Sequence, residues 1–341
     1  MLTPLIGTNP DDGLKIGFAN IYTANGFERN PFTSQHTFSG AYYFATDGFE
    51  LGYSSEFANI IGHWNLSFNA MYTSPNYAIN FFDFGNNTIN EEADNLRDRD
   101  YNRVKIRKLI AGTSLHWKGD VGAEIKLGLN YQSFKIDKTP GRFISTQNIN
   151  FNNQDFLNAE ASYMFENTDN AAFTSMGMKT ELQVGYTSNL QKKNNFGYLI
   201  PSIAFDYKLI PSGQLVFATK FKGHITFGDN FEFYQGASLG GNNGLRGYRN
   251  ERFTGKNAFY HSSDIRLNLR KIKTGLLPLH IGIYGGFDYG KVWLENIDSK
   301  NWNTSLGGGI FFNAANMMTG NLSAFNSDDG LRIAFAMGFA F

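Results

Sequence analysis

The sequence predicts an all-β protein: a single antiparallel transmembrane β-barrel of about 16 strands, with residues 1–341 forming one domain. Three observations lead there. Apolar residues recur with a period of two nearly throughout, the period of a strand and not of a helix. Tight turns alternate with long polar loops, the punctuation of an outer-membrane barrel. Aromatic residues and glycines are abundant, with 33 Phe, 17 Tyr and 37 Gly against 8 Pro and no Cys. Phe and Tyr near strand ends supply interfacial girdles, and glycines relieve curvature.

Taken in order, strands are expected at 14–23, 35–46, 48–57, 63–74 and 77–85, with Thr46-Asp47-Gly48 and Ser74-Pro75-Asn76 as tight turns. A polar loop at 86–100 precedes strands at 101–117 and 119–136, which turn at Lys118-Gly119-Asp120. After a second loop at 137–152 come strands at 153–167, 173–189, 196–208 and 213–227, the last introduced by Pro211-Ser212-Gly213. The longest loop, 229–257, leads to strands at 258–271, 276–292, 302–313, 317–325 and 330–341. The final strand shows the alternation most cleanly. Leu331, Ile333, Phe335, Met337, Phe339 and Phe341 form one face, and Arg332, Ala334, Ala336, Gly338 and Ala340 the other.

Composition removes several functions. Charged residues are 18% of the chain and the formal net charge is zero, so no field attracts nucleic acid. Without cysteine there is no disulfide scaffold and no thiolate metal site. No apolar run reaches the ~18 residues of a transmembrane helix. The start, Met1-Leu2-Thr3-Pro4-Leu5, has no basic region followed by an apolar run, so an exported chain with this start is either a mature form or a fragment; a fragment is expected, because Met1 leads straight into structured-looking sequence.

Parity assigns the two faces. On the strand at 258–271, Phe259, Ile265, Leu267 and Leu269 face lipid, leaving Tyr260, Asp264, Arg266, Asn268 and Arg270 inside. On the next, Leu277, Leu279, Ile281, Ile283, Phe287 and Tyr289 face lipid, leaving His280, Tyr284 and Asp288 inside. Charges are tolerated in a wet lumen and penalised on the lipid face. The loop at 229–257 carries Gly240-Gly241-Asn242-Asn243-Gly244-Leu245-Arg246-Gly247-Tyr248. Arg246 and Asp288 are expected to form an ion pair, since an unpaired charge inside would be costly.

Gly244-Leu245-Arg246-Gly247-Tyr248 resembles the arginine-glycine-aromatic loop motif of the barrel assembly machinery superfamily, the bacterial surface antigen family of outer-membrane assembly factors and two-partner secretion transporters. Phe287-Asp288-Tyr289-Gly290-Lys291-Val292 is similar to that family's strand motif, Phe-x-Asp-x-Gly, although Phe287 directly precedes Asp288. The resemblance covers the last 100 residues specifically. It implies a 16-stranded barrel whose long sixth outer loop folds into the lumen, where Arg246 meets Asp288 and, as a second acidic partner, Asp264. It also implies POTRA repeats or an enzyme domain ahead of the barrel, neither lying within these residues. The segment from Pro4 to Leu14 resembles the lead-in of a Bacteroidetes-type barrel fused to a calcineurin-like metallophosphoesterase. The terminal Phe335, Phe339 and Phe341 resemble the signal by which outer-membrane barrels are assembled.

Other signals carry less. The six histidines lack metal-binding spacing, and no cofactor is expected. In His261-Ser262-Ser263 the adjacent His and Ser face opposite ways, and His261 with Ser263 lacks an orienting carboxylate, so the chain is not expected to be an enzyme. The charged run at 91–100 suits a solvated loop, with calcium or lipopolysaccharide contact as the alternative. Gly307-Gly308-Gly309 is no phosphate loop, because no helix follows. Three functions remain. The barrel inserts or translocates proteins or lipids through a labile seam, it anchors a fused phosphoesterase, or it is a passive pore. Its expected partners are outer-membrane lipid and lipopolysaccharide, client outer-membrane proteins, and periplasmic or lipoprotein partners in a Gram-negative cell.

Overall fold

The computed structural model describes residues 2–26, 32–91, 98–170, 174–228, 230–273, 278–295, 299–314 and 318–339. Sixteen long strands form the wall. They are β1 (Leu2–Asn9), β2 (Gly13–Ala24), β3 (Ser34–Tyr43), β4 (Gly48–Ile61), β5 (Trp64–Thr73), β6 (Arg103–Lys118), β7 (Ala123–Ile136) and β8 (Gln154–Thr168). They continue as β9 (Gly177–Asn189), β10 (Asn195–Lys208), β11 (Leu215–Phe227), β12 (Asn257–Lys273), β13 (Pro278–Trp293), β14 (Asn303–Ala314), β15 (Met318–Ser327) and β16 (Gly330–Phe339). Each pairs antiparallel with its neighbours in sequence, and β1 pairs with β16, so the sheet closes on itself. Closure leaves no free sheet edge, which is the condition for strands to cross a bilayer. No described helix is long and apolar enough to do so.

The two faces separate as a period of two requires. On β13, Ile283 and Phe287 are 44% and 42% exposed, whereas Asp288 is completely buried. On β12, Ile265, Leu267 and Leu269 are exposed and Tyr260 is buried. Long connections at 74–102, 137–153 and 228–256 all follow odd-numbered strands and therefore share one rim, while 62–63, 119–122 and 209–214 lie at the other. The 228–256 connection is the sixth on the long-loop rim.

The expected strand count was reached by two compensating differences. Residues 2–9 were expected to be a lead-in, yet they form β1. Pro4 and Gly7 hide the strand in the sequence. β1 pairs with β2 along its whole length and, among the described residues, with β16 at Ile6, Gly7 and Thr8, so Pro4 lies outside the described β1–β16 ladder, where a missing donor is tolerated. Conversely, the expected wall strand at 77–85 contributes only Ala78–Asn80, paired with Arg103–Lys105. Phe81 and Phe82 are neighbours and both buried, which a single lipid-facing strand does not permit. Phe81 instead joins Val104, Ile106, Phe134, Ile136, Ile144, Phe156 and Phe233 in a core beneath the long loops. Two other turns are relocated. The one around Asp47 lies on the long-loop rim, because β1 shifts the count, and Ser74-Pro75-Asn76 opens the long connection without separating two wall strands.

Removing the Phe81 ring should cost about 3–5 kcal/mol of local stability. In Phe81→Ala, limited proteolysis should therefore cleave the 74–102 connection faster while the heat-modifiable electrophoretic shift of the wall persists.

Candidate functional site

The 228–256 connection turns back to meet the inward-facing side chains of β12, β13 and β14. Its start and end form a short ladder, Ala237–Leu239 against Phe253–Gly255. Leu245 and Tyr248 pack with Leu239, Phe253, Ala258, Tyr260 and Val292 in a buried apolar cluster. Gly244 takes φ +90°, and any side chain there would strike the Tyr260 ring, so this position requires glycine. Gly247 lies against Ser305, and its carbonyl accepts a hydrogen bond from Ser327 Oγ at 2.8 Å. Gly290 leaves room for Leu239 and Tyr260.

This packing aims Arg246 at a carboxylate. Its Nη2 lies 2.6 Å from Asp288 Oδ1 and 2.8 Å from Asp264 Oδ1. Its Nε donates to both Asp288 oxygens at 3.1 Å, and its backbone N–H donates to Oδ2 at 3.0 Å. Ser262 and Ser305 hydroxyls complete the Asp288 shell at 2.6 and 2.8 Å. The guanidinium also lies over the Phe325 ring, 4.1 Å from its centroid. A planar fork between two carboxylates is arginine chemistry that lysine cannot reproduce. Gly286 makes the approach possible, since a Cβ there would fall 2.3 Å from Asp264 Oδ1.

Among the residues singled out from sequence, the structure thus brings together Arg246, Asp288, Asp264, Gly244, Leu245, Gly247, Tyr248, Gly290 and Val292. Phe287 stands apart on the outer face. Phe335 is half-buried on β16, while Phe341 and the Phe339 side chain lie outside the described residues.

Sequence reasoning missed two further arginines on the same segment. Arg249 Nε reaches Asp11 Oδ1 at 2.5 Å, and the Asn250 N–H donates to Asp11 Oδ2 at 2.9 Å. Arg252 Nε reaches Asp329 Oδ2 at 2.6 Å and its Nη1 donates to Thr88 Oγ1 at 2.6 Å. Arg332 on β16 donates to Asn250 Oδ1 at 3.0 Å. The available signal was the spacing itself, an arginine every third residue at 246, 249 and 252, together with the acidic pairs Asp11-Asp12 and Asp328-Asp329 in tight turns. Burial pushes the Asp11 carboxyl up, but the Arg249 guanidinium, the Asn250 N–H and Arg103 outweigh it and hold the group below the usual carboxylate range.

The outer face contains a Ser–His contact. His261 Nε2 lies 2.8 Å from Ser263 Oγ and 2.7 Å from Thr219 Oγ1, but its buried Nδ1 has no hydrogen-bond partner. Without an orienting acceptor the pair lacks what an activated nucleophile needs. Ser262 points the other way, to Asp288. Among the described residues no group of acidic and histidine side chains is arranged to hold a metal ion.

Because the folded-state pKa of Asp11 is depressed, its contribution is present above the unfolded value and is lost as pH falls through the folded one. Protease protection of the 228–256 segment should therefore weaken below pH ~3.9, and Asp11→Asn should show the weakened state at neutral pH.

Residues 125–312 match the family described as haemolysin secretion/activation protein ShlB/FhaC/HecB. Among solved structures, the chain is similar to BamA from Haemophilus ducreyi lacking POTRA domains 1-3, at TM-score 0.69 and 16% identity, covering 100% of this chain and 70% of that one. It is similar to CdiB from Escherichia coli at TM-score 0.65 and 13% identity, over 100% of this chain and 63% of that one. CdiB from Acinetobacter baumannii gives 0.63 and 12%, over 100% and 59%. These likenesses establish a shared barrel fold. No curated protein matches by sequence.

Proposed function

Since the chain belongs to the haemolysin secretion/activation family, whose matched region covers more than half of it, we propose that it moves polypeptide clients across the outer membrane through a lumen closed at rest by the 228–256 segment. The family is one of Gram-negative outer-membrane barrels in protein secretion or assembly; they are transporters, not enzymes. The observation that carries the proposal is the contact of Arg246 with Asp288 and Asp264. It fixes the middle of a long connection to the inner wall, where the segment obstructs free diffusion. A passive pore is disfavoured for the same reason. Displacing the segment exposes the buried Asp288 carboxylate, so opening needs a partner that repays that cost, and an incoming client is such a partner.

A second reading, insertion of client proteins or lipids at the wall, is favoured by the seam. Among the described residues three positions of β1 pair with β16, whereas β15 and β16 pair along their whole length. The seam is also held from inside, because Arg249 grips Asp11 in the β1–β2 turn and Arg252 grips Asp329 in the β15–β16 turn. Release of the segment and opening of the seam are thus coupled in this reading. Lipopolysaccharide, clients and periplasmic or lipoprotein partners belong to both readings. The fused phosphoesterase anchor is supported by the resemblance of residues 4–14 alone, and the partners of Asp11 account for that turn within the barrel.

Arg246→Ala should remove about 3–5 kcal/mol of docking, seen as larger, fluctuating conductance in planar bilayers and faster cleavage between 228 and 256; unchanged, quiet conductance would refute the closed-lumen proposal. For the seam, cysteines at Gly7 and Ala336, which are directly paired, should form a disulfide that stops client insertion until reduced. Insertion proceeding through the cross-linked wall would leave only the lumen route.

A further inference from the structure

A basic patch lies on the outer face of the wall, at the long-loop rim of β6 and β7. Arg107 and Lys135 stand directly opposite one another on these strands, and Lys105 shares the face of Arg107 two residues nearer the rim. Parity places all three outside with Leu109 and Tyr131, which are exposed. Their neighbours Val104, Ile106, Phe134 and Ile136 turn the other way, into the core beneath the long loops. Like charges opposed across an antiparallel pair destabilise it, so the pair calls for a countercharge. Among the described residues none of the three cations forms an ion pair. Lys105 Nζ donates instead to Asn76 Oδ1 at 3.1 Å, and Arg107 Nη2 to Asn153 Oδ1 at 2.8 Å. Two acidic residues share this face without neutralising it. Asp155 accepts from Tyr131 Oη at 2.9 Å and from Asn153 Nδ2 at 2.8 Å. Asp137 donates its N–H to the Lys105 carbonyl, but its exposed carboxylate makes no ion pair with Lys105. The next turn on the same rim adds exposed Lys192 and Lys193.

We propose that this patch binds the phosphate groups of lipopolysaccharide in the outer leaflet. Depth supports a lipid headgroup. From bilayer to rim, the outer face of β7 carries Leu127, Leu129, Tyr131, Ser133 and Lys135. The leucines suit hydrocarbon and Tyr131 suits the interface. Lys135 follows four residues later, and its flexible stem lets the ammonium reach back to headgroup level. Arg107, opposite it, lies at the same height. Chemistry supports phosphate. A guanidinium fork and an ammonium side by side offer one phosphate a bidentate contact and a point charge. Bridged in this way, the two cations exchange mutual repulsion for attraction. A lipid-borne anion is held at both ends, because Leu109 and Leu129, exposed on the same face, meet its acyl chains. A free anion gains only the ionic contact, which salt screens.

Diphosphoryl lipid A and its dephosphorylated form are titrated separately into the full chain in detergent, with bound lipid counted by native mass spectrometry. Inorganic phosphate is the soluble probe. Diphosphoryl lipid A should bind saturably, and the double substitution Arg107→Gln with Lys135→Gln should weaken it at least ~10-fold, which corresponds to about 1.4 kcal/mol. Lys135→Arg keeps the charge and should keep the binding. The double substitution also removes repulsion, so the lipid-free barrel should be no less heat-stable, while the rise in unfolding temperature on adding lipid is lost. The heat-modifiable shift verifies that each variant is folded. Equal binding of the dephosphorylated lipid, undiminished binding by the folded double variant, or inorganic phosphate binding as tightly as the lipid would overturn the proposal.

Discussion

A carboxylate with no solvent exposure lies on the inner face of β13, and the 228–256 segment is arranged around it. Asp288 in isolation would be too costly to keep ionised in the wall. Arg246 supplies the countercharge, and two serine hydroxyls with one backbone N–H occupy the remaining lone pairs. Satisfying one buried charge thus dictates the path of a connection nearly thirty residues long. The glycines at 244 and 286 follow from it, since Gly286 clears space for the Arg246 guanidinium and Asp264, and Gly244 lets the backbone beside Arg246 pass over the Tyr260 ring.

From that fixed point the segment reaches both sides of the barrel's closure. Arg249 and Arg252 are only three residues apart, yet they hold the turns that flank β1 and β16 respectively. Arg332, on β16 itself, bonds back to Asn250 and to the Arg246 carbonyl. Inner wall, loop and the two seam turns are therefore linked by one set of side-chain contacts. The β1–β16 junction, paired at three positions among the described residues, is supplemented by charge-assisted bonds from inside, which are strong when dry and weaken when water enters. A client that drew the segment away would loosen both features together.

Much of the architecture was legible because a barrel wall imposes a strict period of two and penalises charge on one face. The strands around Asp264 and Asp288 could be oriented from their neighbours alone. What escaped is what the period does not govern. β1 carries Pro4 and Gly7, and its strand conformation depends on β2 and β16, partners near it in space and, for β16, at the far end of the chain. Phe81 and Phe82 look like strand residues, but Phe81 belongs to a core under the loops and Phe82 is buried beneath the Arg252 guanidinium, so burial of both removes periodicity. The ties from Arg249 and Arg252 join residues more than 70 positions apart, and only folding reveals which acidic turn each arginine meets. Arg246 was the exception because its motif and its strand partner both resemble a known family.

The central claim is that Arg246 holds the 228–256 segment against the inner wall. Spin labels on cysteines introduced at Asp47, in the β3–β4 turn, and at Asn242, in the segment, test it in a chain that has no cysteine of its own. Pulsed electron resonance on the protein in lipid bilayers should give one narrow distance distribution that broadens and shifts outward on Arg246→Ala. A distribution that is broad from the start, or that is unchanged by the substitution, would contradict it.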